Sequence, residues 1–199
     1  MSKAEGQNEA INIAIAKLAK MDFSDRTKNL GYSLLDKENL VIHAFGADST
    51  VDLKSFEVKN RKTGQSVKPD LKIILLHYLL FEKNISETGN LISFRELPGG
   101  QFYLLPYQSR SVNILTSRIK NDIGLLRKNL DRLKWTEVGP GDIGARIQAV
   151  GNVYVNLVCY VGDEEMPPSA DVLYDSSIRN VFNTEDVAVI ASLTCRTLI

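Results

Sequence analysis

Arg95, Glu96, Gly99 and Gly100 are the first residues whose types and spacing suit a chemical role. Two adjacent glycines let a ligand approach backbone N–H groups closely, and a neighbouring arginine can bind an anionic group. The segment matches neither GxGxxG nor GxxxxGK[ST], so it carries no nucleotide-binding motif. The alternative interpretation is a hairpin turn flanked by an ion pair on the surface.

A second group of candidates lies in the acidic segment that begins at Gly162. Its oxygen-bearing side chains include Asp163, Glu164, Glu165, Asp171, Asp175, Ser176 and Ser177. Oxygen ligands at this density suit Ca²⁺ or Mg²⁺, and two carboxylates in different surroundings can divide acid and base roles. The spacing is not that of an EF-hand loop, and we predict no defined metal site. A solvated acidic loop and a ligand or partner site are the alternatives, and Pro167-Pro168 holds the loop extended.

Charge is divided unevenly along a chain whose formal net charge is zero. The stretch from Arg110 to Lys134 has seven basic residues and two acidic ones, whereas no Lys or Arg lies between Ile147 and Ile178, a stretch with five carboxylates. The zero net charge argues against a nucleic-acid or membrane-surface binder. The two charged segments still permit an electrostatic contact inside the molecule, with a partner protein or with a second copy.

Common catalytic motifs do not occur in this sequence. There is no G-x-S-x-G nucleophile elbow and no HExxH pattern. His43 and His77 fall in apolar patterns, so we interpret them as core residues. Cys159 and Cys195 lie on apolar stretches without CxxC spacing, which favours buried thiols over redox or metal roles. We therefore predict no cofactor.

Length and composition are those of an ordinary globular chain. The 199 residues are 44% hydrophobic and 24% charged, which excludes disorder and disulfide scaffolds. We predict a single domain over residues 1–199, because a chain of this length buries roughly 70% of its unfolded surface. The N-terminus lacks the apolar segment of a secretory signal, and the longest nearly apolar run, Leu71–Phe81, is too short to cross a bilayer. We expect a cytoplasmic location and no membrane contact.

The first half of the chain predicts a helix, a β-meander and a second helix. Apolar residues at helical spacing predict an amphipathic helix over 8–21. The predicted strands lie at 30–35, 40–45 and 51–58. A turn at 46–49 precedes the third strand. Within this strand the apolar residues change from one parity to the other, which predicts a β-bulge. A helix over 70–82, with Pro69 in its first turn, is expected to be covered on both sides.

The second half begins with a Pro-Gly-Gly turn that should lead into a strand at 103–106. Residues 108–134 predict two helices broken near Asn121–Gly124. Strands at 143–149 and 153–161 predict a β-hairpin. We predict a three-residue loop, Val150-Gly151-Asn152, because it places the odd-numbered apolar residues of both strands on one buried face. A two-residue turn would place them on opposite faces.

A short strand at 171–174 and a helix capped by Thr184 complete the chain. Strands and helices are segregated along the sequence. The fold class we predict is therefore α+β, with mainly antiparallel β-sheet segments packed with four or five helices.

Four segments together resemble a family of uncharacterised prokaryotic domains, each about as long as this chain. The segments are SFRELPGGQFY, LHYLL, GDEEMPPSADVLYDSS and TEDVAV. The resemblance extends from about Leu71 to the C-terminus and more loosely over the first third. Members occur typically in anaerobic bacteria and archaea, and some are joined to a four-cysteine iron–sulfur domain of the type seen in corrinoid proteins.

The resemblance implies a stand-alone relative, because two cysteines cannot supply a four-thiolate cluster. It implies no activity. The residues that lie in the family's characteristic segments are Arg95, Gly99, Gly100, Asp163, Glu164, Glu165, Asp175 and Ser176.

Two functions of different classes fit these observations. The first is a soluble binding or accessory module whose partner is a redox or corrinoid-type protein. The second is an enzyme or small-ligand binder with a pocket between the 95–100 turn and the 163–177 acidic loop. A third hypothesis is self-association, in which the basic helices of one copy contact the acidic loop of a second copy. The candidate ligand-binding residues are Arg95, Glu96, Gly99, Gly100, Asp163, Glu164, Glu165, Asp175 and Ser176.

Overall fold

The structure, a computed structural model, describes residues 2–23 and 30–199. These residues form two units. The first contains the described residues up to Ile85 together with Val150–Asn152, and the second contains Ser86–Ala149 and Val153–Ile199. The single domain over residues 1–199 stays a prediction. No helix within the described ranges is long and apolar enough to cross a membrane.

The first unit packs two helices with a four-stranded antiparallel meander. Helix α1 (Lys3–Leu18) begins at a capping box between Ser2 and Glu5, which supplies partners for orphan amides at the helix start. The strands are β1 (Tyr32–Leu34), β2 (Asn39–Ala44), β3 (Ala47–Asp52) and β4 (Val58–Asn60). Helix α2 (Pro69–Leu80) follows, with Pro69 in its first turn as predicted.

A buried tyrosine on α2 forms hydrogen bonds with two other segments of this unit. The Tyr78 hydroxyl of α2 donates to the Leu30 carbonyl at 2.8 Å and accepts from the Asn152 amide at 2.8 Å. Gly151, with φ +52°, packs so closely on the Tyr78 ring that a Cβ there would lie 2.3 Å from a ring atom. The glycine at this turn is therefore required by packing as well as by backbone conformation.

The β2–β3–β4 region corrects two predictions. The turn after β2 is Phe45-Gly46, both with positive φ, so β3 starts at Ala47 where a turn was expected. The apolar phase change within 51–58 marks a chain reversal rather than a bulge. The Asp52 carboxylate accepts from the amides of Lys54 and Ser55, and Phe56 adopts φ +53°.

The second unit contains a five-stranded antiparallel sheet. Its strands are β5 (Leu91–Ser93), β6 (Trp135–Glu137), β7 (Ile143–Val150), β8 (Val153–Tyr160) and β9 (Ser169–Asp175), in the order β6-β7-β8-β9-β5. The last residue of β7, Val150, is counted with the first unit. The odd-numbered residues of β7 and β8 are buried, as the predicted hairpin requires.

Helices of the second unit are shorter and more numerous than expected. They are α3 (Leu104–Arg110), α4 (Val112–Ile119), α5 (Ile123–Leu130), α6 (Ile178–Val181) and α7 (Thr184–Thr197). The strand predicted at 103–106 is wrong, because Pro106 lies in the first turn of α3, where its missing N–H costs nothing. Helix α7 is capped by Asn183 rather than Thr184; the Asn183 side chain accepts from the Asp186 amide.

The fold class is α+β, as predicted, and the described strand pairs are antiparallel. The count of four or five helices was too low. Residues 104–130 form three short helices instead of two, and the four-residue α6 precedes α7.

Candidate functional site

The 93–100 segment forms a tight 3-10 turn at Phe94–Glu96, followed by a glycine turn. The Glu96 carboxylate accepts hydrogen bonds from the amide and the hydroxyl of Ser93 at 2.7 and 3.0 Å. The hydrogen bond from the backbone amide is the main cause of a lowered pKa at Glu96. Glu96 therefore caps its own turn. Gly99 has φ +73° and open space around it, whereas a Cβ on Gly100 would lie 2.0 Å from the Phe94 carbonyl oxygen. Both glycines serve the turn.

Arg95 lies beside the acidic strand β9. Strand β5 pairs with β9 through Leu91↔Asp175 and Ser93↔Leu173, so the following turn runs along the first half of β9. Asp171 is exposed on β9. Partial desolvation raises the pKa of its carboxyl, and the positive charge of Arg95 partly opposes this effect. A basic and an acidic side chain from the two predicted segments are therefore close enough to interact electrostatically.

The acidic tip of the 163–177 loop is bound to a different part of the unit. The Asp163 carboxylate accepts from the amides of Glu165 and Met166 at 2.9 and 2.8 Å, which lowers its pKa and closes a turn. The Asn121 side chain forms two hydrogen bonds of 2.9 Å with Gly162, one to its carbonyl and one from its amide. Glu164 and Glu165 are exposed on this turn.

Asp175 and Ser176 hold the loop that precedes β5. The Asp175 carboxylate accepts from the amides of Thr88, Gly89 and Ser177 at 2.8–3.0 Å. Burial raises the pKa of Asp175, but these hydrogen bonds outweigh it and bring the pKa to about 2. The Ser176 hydroxyl is 2.8 Å from that of Thr88. This loop is also held by an ion pair between Glu87 and Arg146 at 2.7 Å.

The predicted site residues thus fall into three places. Arg95 lies near Asp171, the turn that carries Asp163, Glu164 and Glu165 is hydrogen-bonded to Asn121, and Asp175 with Ser176 binds the 87–90 loop. Their assignment as ligand-binding residues stays a prediction. In the described ranges, no group of three His, Cys, Asp or Glu side chains is arranged to hold a metal ion.

An apolar groove that the sequence did not indicate lies next to the acidic tip. It is shallow, with a cavity volume of only about 10 Å³. We call it the α4–α5 groove, because one wall comes from those helices and the other from the end of β8 and the start of β9. Its lining residues are Leu115, Thr116, Ile119, Lys120, Ile123, Leu126, Cys159, Tyr160, Val161, Pro168 and Ser169. None of the candidate ligand residues lines it.

A second missed feature is the apolar side chains at the start of α3. Phe102 is 95% exposed, Leu105 is 78% exposed and Tyr103 is partly exposed. The Arg110 guanidinium donates to the Tyr103 hydroxyl at 2.6 Å. Phe102 and Tyr103 lie in the turn before α3 and Leu105 lies in its first turn, so these side chains do not alternate as they would in the expected strand.

A third missed feature is a histidine–aspartate pair in the first unit. His43 and Asp48 are directly opposite on β2 and β3, and His43 Nδ1 is 2.8 Å from Asp48 Oδ1. Such a pair orients an imidazole as a general base requires, but Nε2 is buried with no hydrogen-bond partner in the described part of the chain. The sequence signal is the two-residue turn at 45–46, which brings the two residues opposite each other.

The buried tyrosine hydroxyls and cysteine thiols of the second unit are held neutral. The hydroxyls of Tyr107 and Tyr174 are 3.0 Å apart, and burial raises both pKa values. The Tyr107 ring stacks on Phe94 with centroids 3.9 Å apart. Cys159 and Cys195 are buried free thiols, as predicted, and burial raises their pKa values to about 12. Thiols in this state are poor nucleophiles.

Comparison with known proteins identifies a family without an established activity. Searches of curated proteins and of solved structures returned no match to this chain. A family described as "domain of unknown function (DUF3786)" matches residues 22–197, which include every candidate site residue of the second unit. The chain therefore belongs to the DUF3786 family.

Proposed function

We propose that this protein is an accessory module that binds another protein through the segment Gly99–Arg110. The observation that carries the proposal is the exposure of Phe102 and Leu105, 95% and 78%, three residues apart on a folded turn. Single exposed apolar residues are ordinary, whereas a cluster of them is typical of an interaction surface. Burying one such side chain on a partner contributes roughly 1.5–3 kcal/mol.

The turn beneath these side chains is held from several sides. The Arg179 guanidinium donates to the Glu96 carbonyl, the Thr184 hydroxyl to the Pro98 carbonyl, and the Ser192 hydroxyl to the Arg110 carbonyl, each at 2.8 Å. A surface held in its bound conformation loses little entropy on association. Preorganisation therefore supports a binding role for this segment.

The chemistry of the segment specifies the partner's surface. Phe102, Tyr103 and Leu105 are apolar or aromatic, and Arg95 and Arg110 are the cations on the same stretch of chain. Aromatic residues and arginine are enriched at the energetic centres of interfaces. The complementary surface is an apolar pocket with carboxylates at its rim. The resemblance in sequence makes a redox or corrinoid-type protein the first partner class to test.

The test compares two double variants as affinity baits in native lysate. Phe102→Ser with Leu105→Ser removes the proposed contact, and Ile13→Ser with Leu35→Ser removes two exposed apolar side chains elsewhere. We expect the wild type and the control to retain the same protein and the first variant to lose it. With that partner purified, calorimetry should show affinity at least tenfold weaker, about 1.4 kcal/mol. Equal retention by all three baits would contradict the proposal.

A small-ligand site is the second candidate function, favoured by the electrostatic interaction between Arg95 and the exposed Asp171. An arginine next to a carboxyl with a raised pKa suits an anionic ligand that carries a hydroxyl or amine. Thermal-shift screening with small carboxylates and phosphates tests this function. A stabilising ligand should lose its effect in Arg95→Gln, and no shift with any compound would rule the candidate out.

A further inference from the structure

The α4–α5 groove has an apolar floor and exposed apolar side chains at its rim. Leu115, Ile119 and Leu126 form its buried part. Met166 is 67% exposed on the acidic turn, and Tyr160 and Val161 are exposed where β8 ends. Leu125 is exposed on α5. Several apolar side chains in and near the groove are therefore in contact with water, and a partner surface would cover them.

The two sides of this groove carry opposite charge. On the helical side Lys120, the residue after α4, lines the groove, and Arg118 is exposed two residues earlier in the last turn of α4. Neither forms an ion pair with a described residue. On the other side Glu164 and Glu165 are exposed on the turn closed by Asp163. The surface is complementary to itself after a two-fold rotation, because the basic side of one copy then faces the acidic side of the other.

We propose that the α4–α5 groove is the interface of a symmetric dimer of this chain. In it, Met166 of each copy packs over the shallow groove of the other, Glu164 and Glu165 meet Arg118 and Lys120, and the contact occurs twice. The proposal is independent of binding through Phe102. A second copy is favoured as the occupant because each copy carries both a basic and an acidic side, which a two-fold rotation brings together.

The acidic turn is held in a defined conformation before any association. Asn121 binds both backbone groups of Gly162, and the Asp163 carboxylate closes the turn. Pro168 packs on Gly162, where a Cβ would lie 2.5 Å from the proline nitrogen. The turn is therefore presented rigidly, which lowers the entropic cost of docking it into a second copy.

Charge reversal tests the pairing. Arg118→Glu with Lys120→Glu makes both sides of the groove acidic, and Glu164→Lys with Glu165→Lys makes both sides basic. Each variant should be monomeric by light scattering at low salt, whereas the wild type should show a concentration-dependent dimer that weakens with salt, because exposed charges are screened beyond about 10 Å at 0.1 M. An equimolar mixture of the two variants should form a heterodimer, since all contacts are again complementary.

Control variants with the same change in net charge keep the test specific. Lys37→Glu with Lys62→Glu, and Glu9→Lys with Glu185→Lys, alter exposed residues elsewhere and should leave the dimer intact. Thermal unfolding of every variant verifies that it is folded. A monomeric wild type at all concentrations, a dimer that both reversals leave unchanged, or a mixture that stays monomeric would each overturn the proposal.

Discussion

The Asp175 carboxylate accepts the backbone amide of Thr88 at 3.0 Å, 87 residues away in sequence. The same carboxylate accepts the amides of Gly89 and Ser177 at 2.8 and 2.9 Å. A residue that composition suggests as a ligand for an outside group thus has its lone pairs occupied by the protein. Its first role is to hold the 87–90 loop at the end of β9.

Replacing Asp175 by asparagine should destabilise the protein by about 1–3 kcal/mol, because buried amides lose a charged acceptor. The pKa of Asp175 is about 2, below the ordinary 3.8. A carboxyl with a lowered pKa stabilises the fold above its unfolded pKa, and this stabilisation is lost as the pH falls through the folded value. The difference between wild type and variant in urea unfolding should therefore shrink between pH 4 and pH 2.

The control for this prediction is Glu9→Gln, which changes an exposed carboxylate on α1. Its unfolding free energy should stay within about 0.5 kcal/mol of the wild type. A difference for Asp175→Asn that does not depend on pH would contradict the role assigned to the ionised carboxylate.

The hydrogen bond between the hydroxyls of Tyr107 and Tyr174 should give a non-additive mutant cycle. Tyr107→Phe leaves the Tyr174 hydroxyl buried without its partner, and Tyr174→Phe does the reverse, so each should cost about 1–3 kcal/mol. The double variant has no buried hydroxyl without a partner, so its loss of unfolding free energy should be smaller than the sum of the losses in the two single variants. Additive losses in chemical denaturation would show that the two hydroxyls are not coupled.

Alanine at the two adjacent glycines should have unequal effects. Gly99→Ala should lower the unfolding free energy by about 1–2 kcal/mol, the cost of a left-handed backbone at alanine, because the added Cβ would meet open space. At Gly100 the Cβ would approach the Phe94 carbonyl oxygen to 2.0 Å, so the turn must shift and the loss should be larger. Thermal unfolding of the two variants measures which one is less stable. A larger loss for Gly99→Ala than for Gly100→Ala would contradict this account of the turn.

The two thiols should be nearly inert towards iodoacetamide in the folded protein. A pKa of about 12 instead of the ordinary 9.0 leaves roughly a thousandfold less thiolate at pH 8. Mass spectrometry should show slow labelling in buffer and complete labelling in urea. Cys195, with no exposed surface, should react more slowly than Cys159 at the groove. Rapid labelling of native protein at either position would refute the prediction, and Cys159→Ala and Cys195→Ala variants separate the sites.

Elements with a strong local pattern were predictable from the sequence. The helix at Pro69–Leu80 and the buried odd-numbered face of the β7–β8 hairpin follow from spacing, because the periods of helix and strand determine which side chains share a face. The helix at Thr184–Thr197 was likewise found from its first-turn acids and polar cap, within one residue of the true cap. The α+β class and the burial of the two cysteines follow from the same local information.

Interactions between distant parts of the chain could not be predicted in this way. Whether Tyr103–Pro106 is strand or helix depends on Tyr107 stacking on Phe94 and pairing with Tyr174, and no local pattern contains those contacts. The partners of Asp175 and of the acidic turn lie 87 and about 40 residues away. Sequence spacing alone thus determined the class, the main elements and the residues worth testing. The tertiary structure decided which carboxylates bind the protein's own backbone and which face solvent, because a hydrogen-bonding group has many possible partners in a sequence and only its neighbours in the fold.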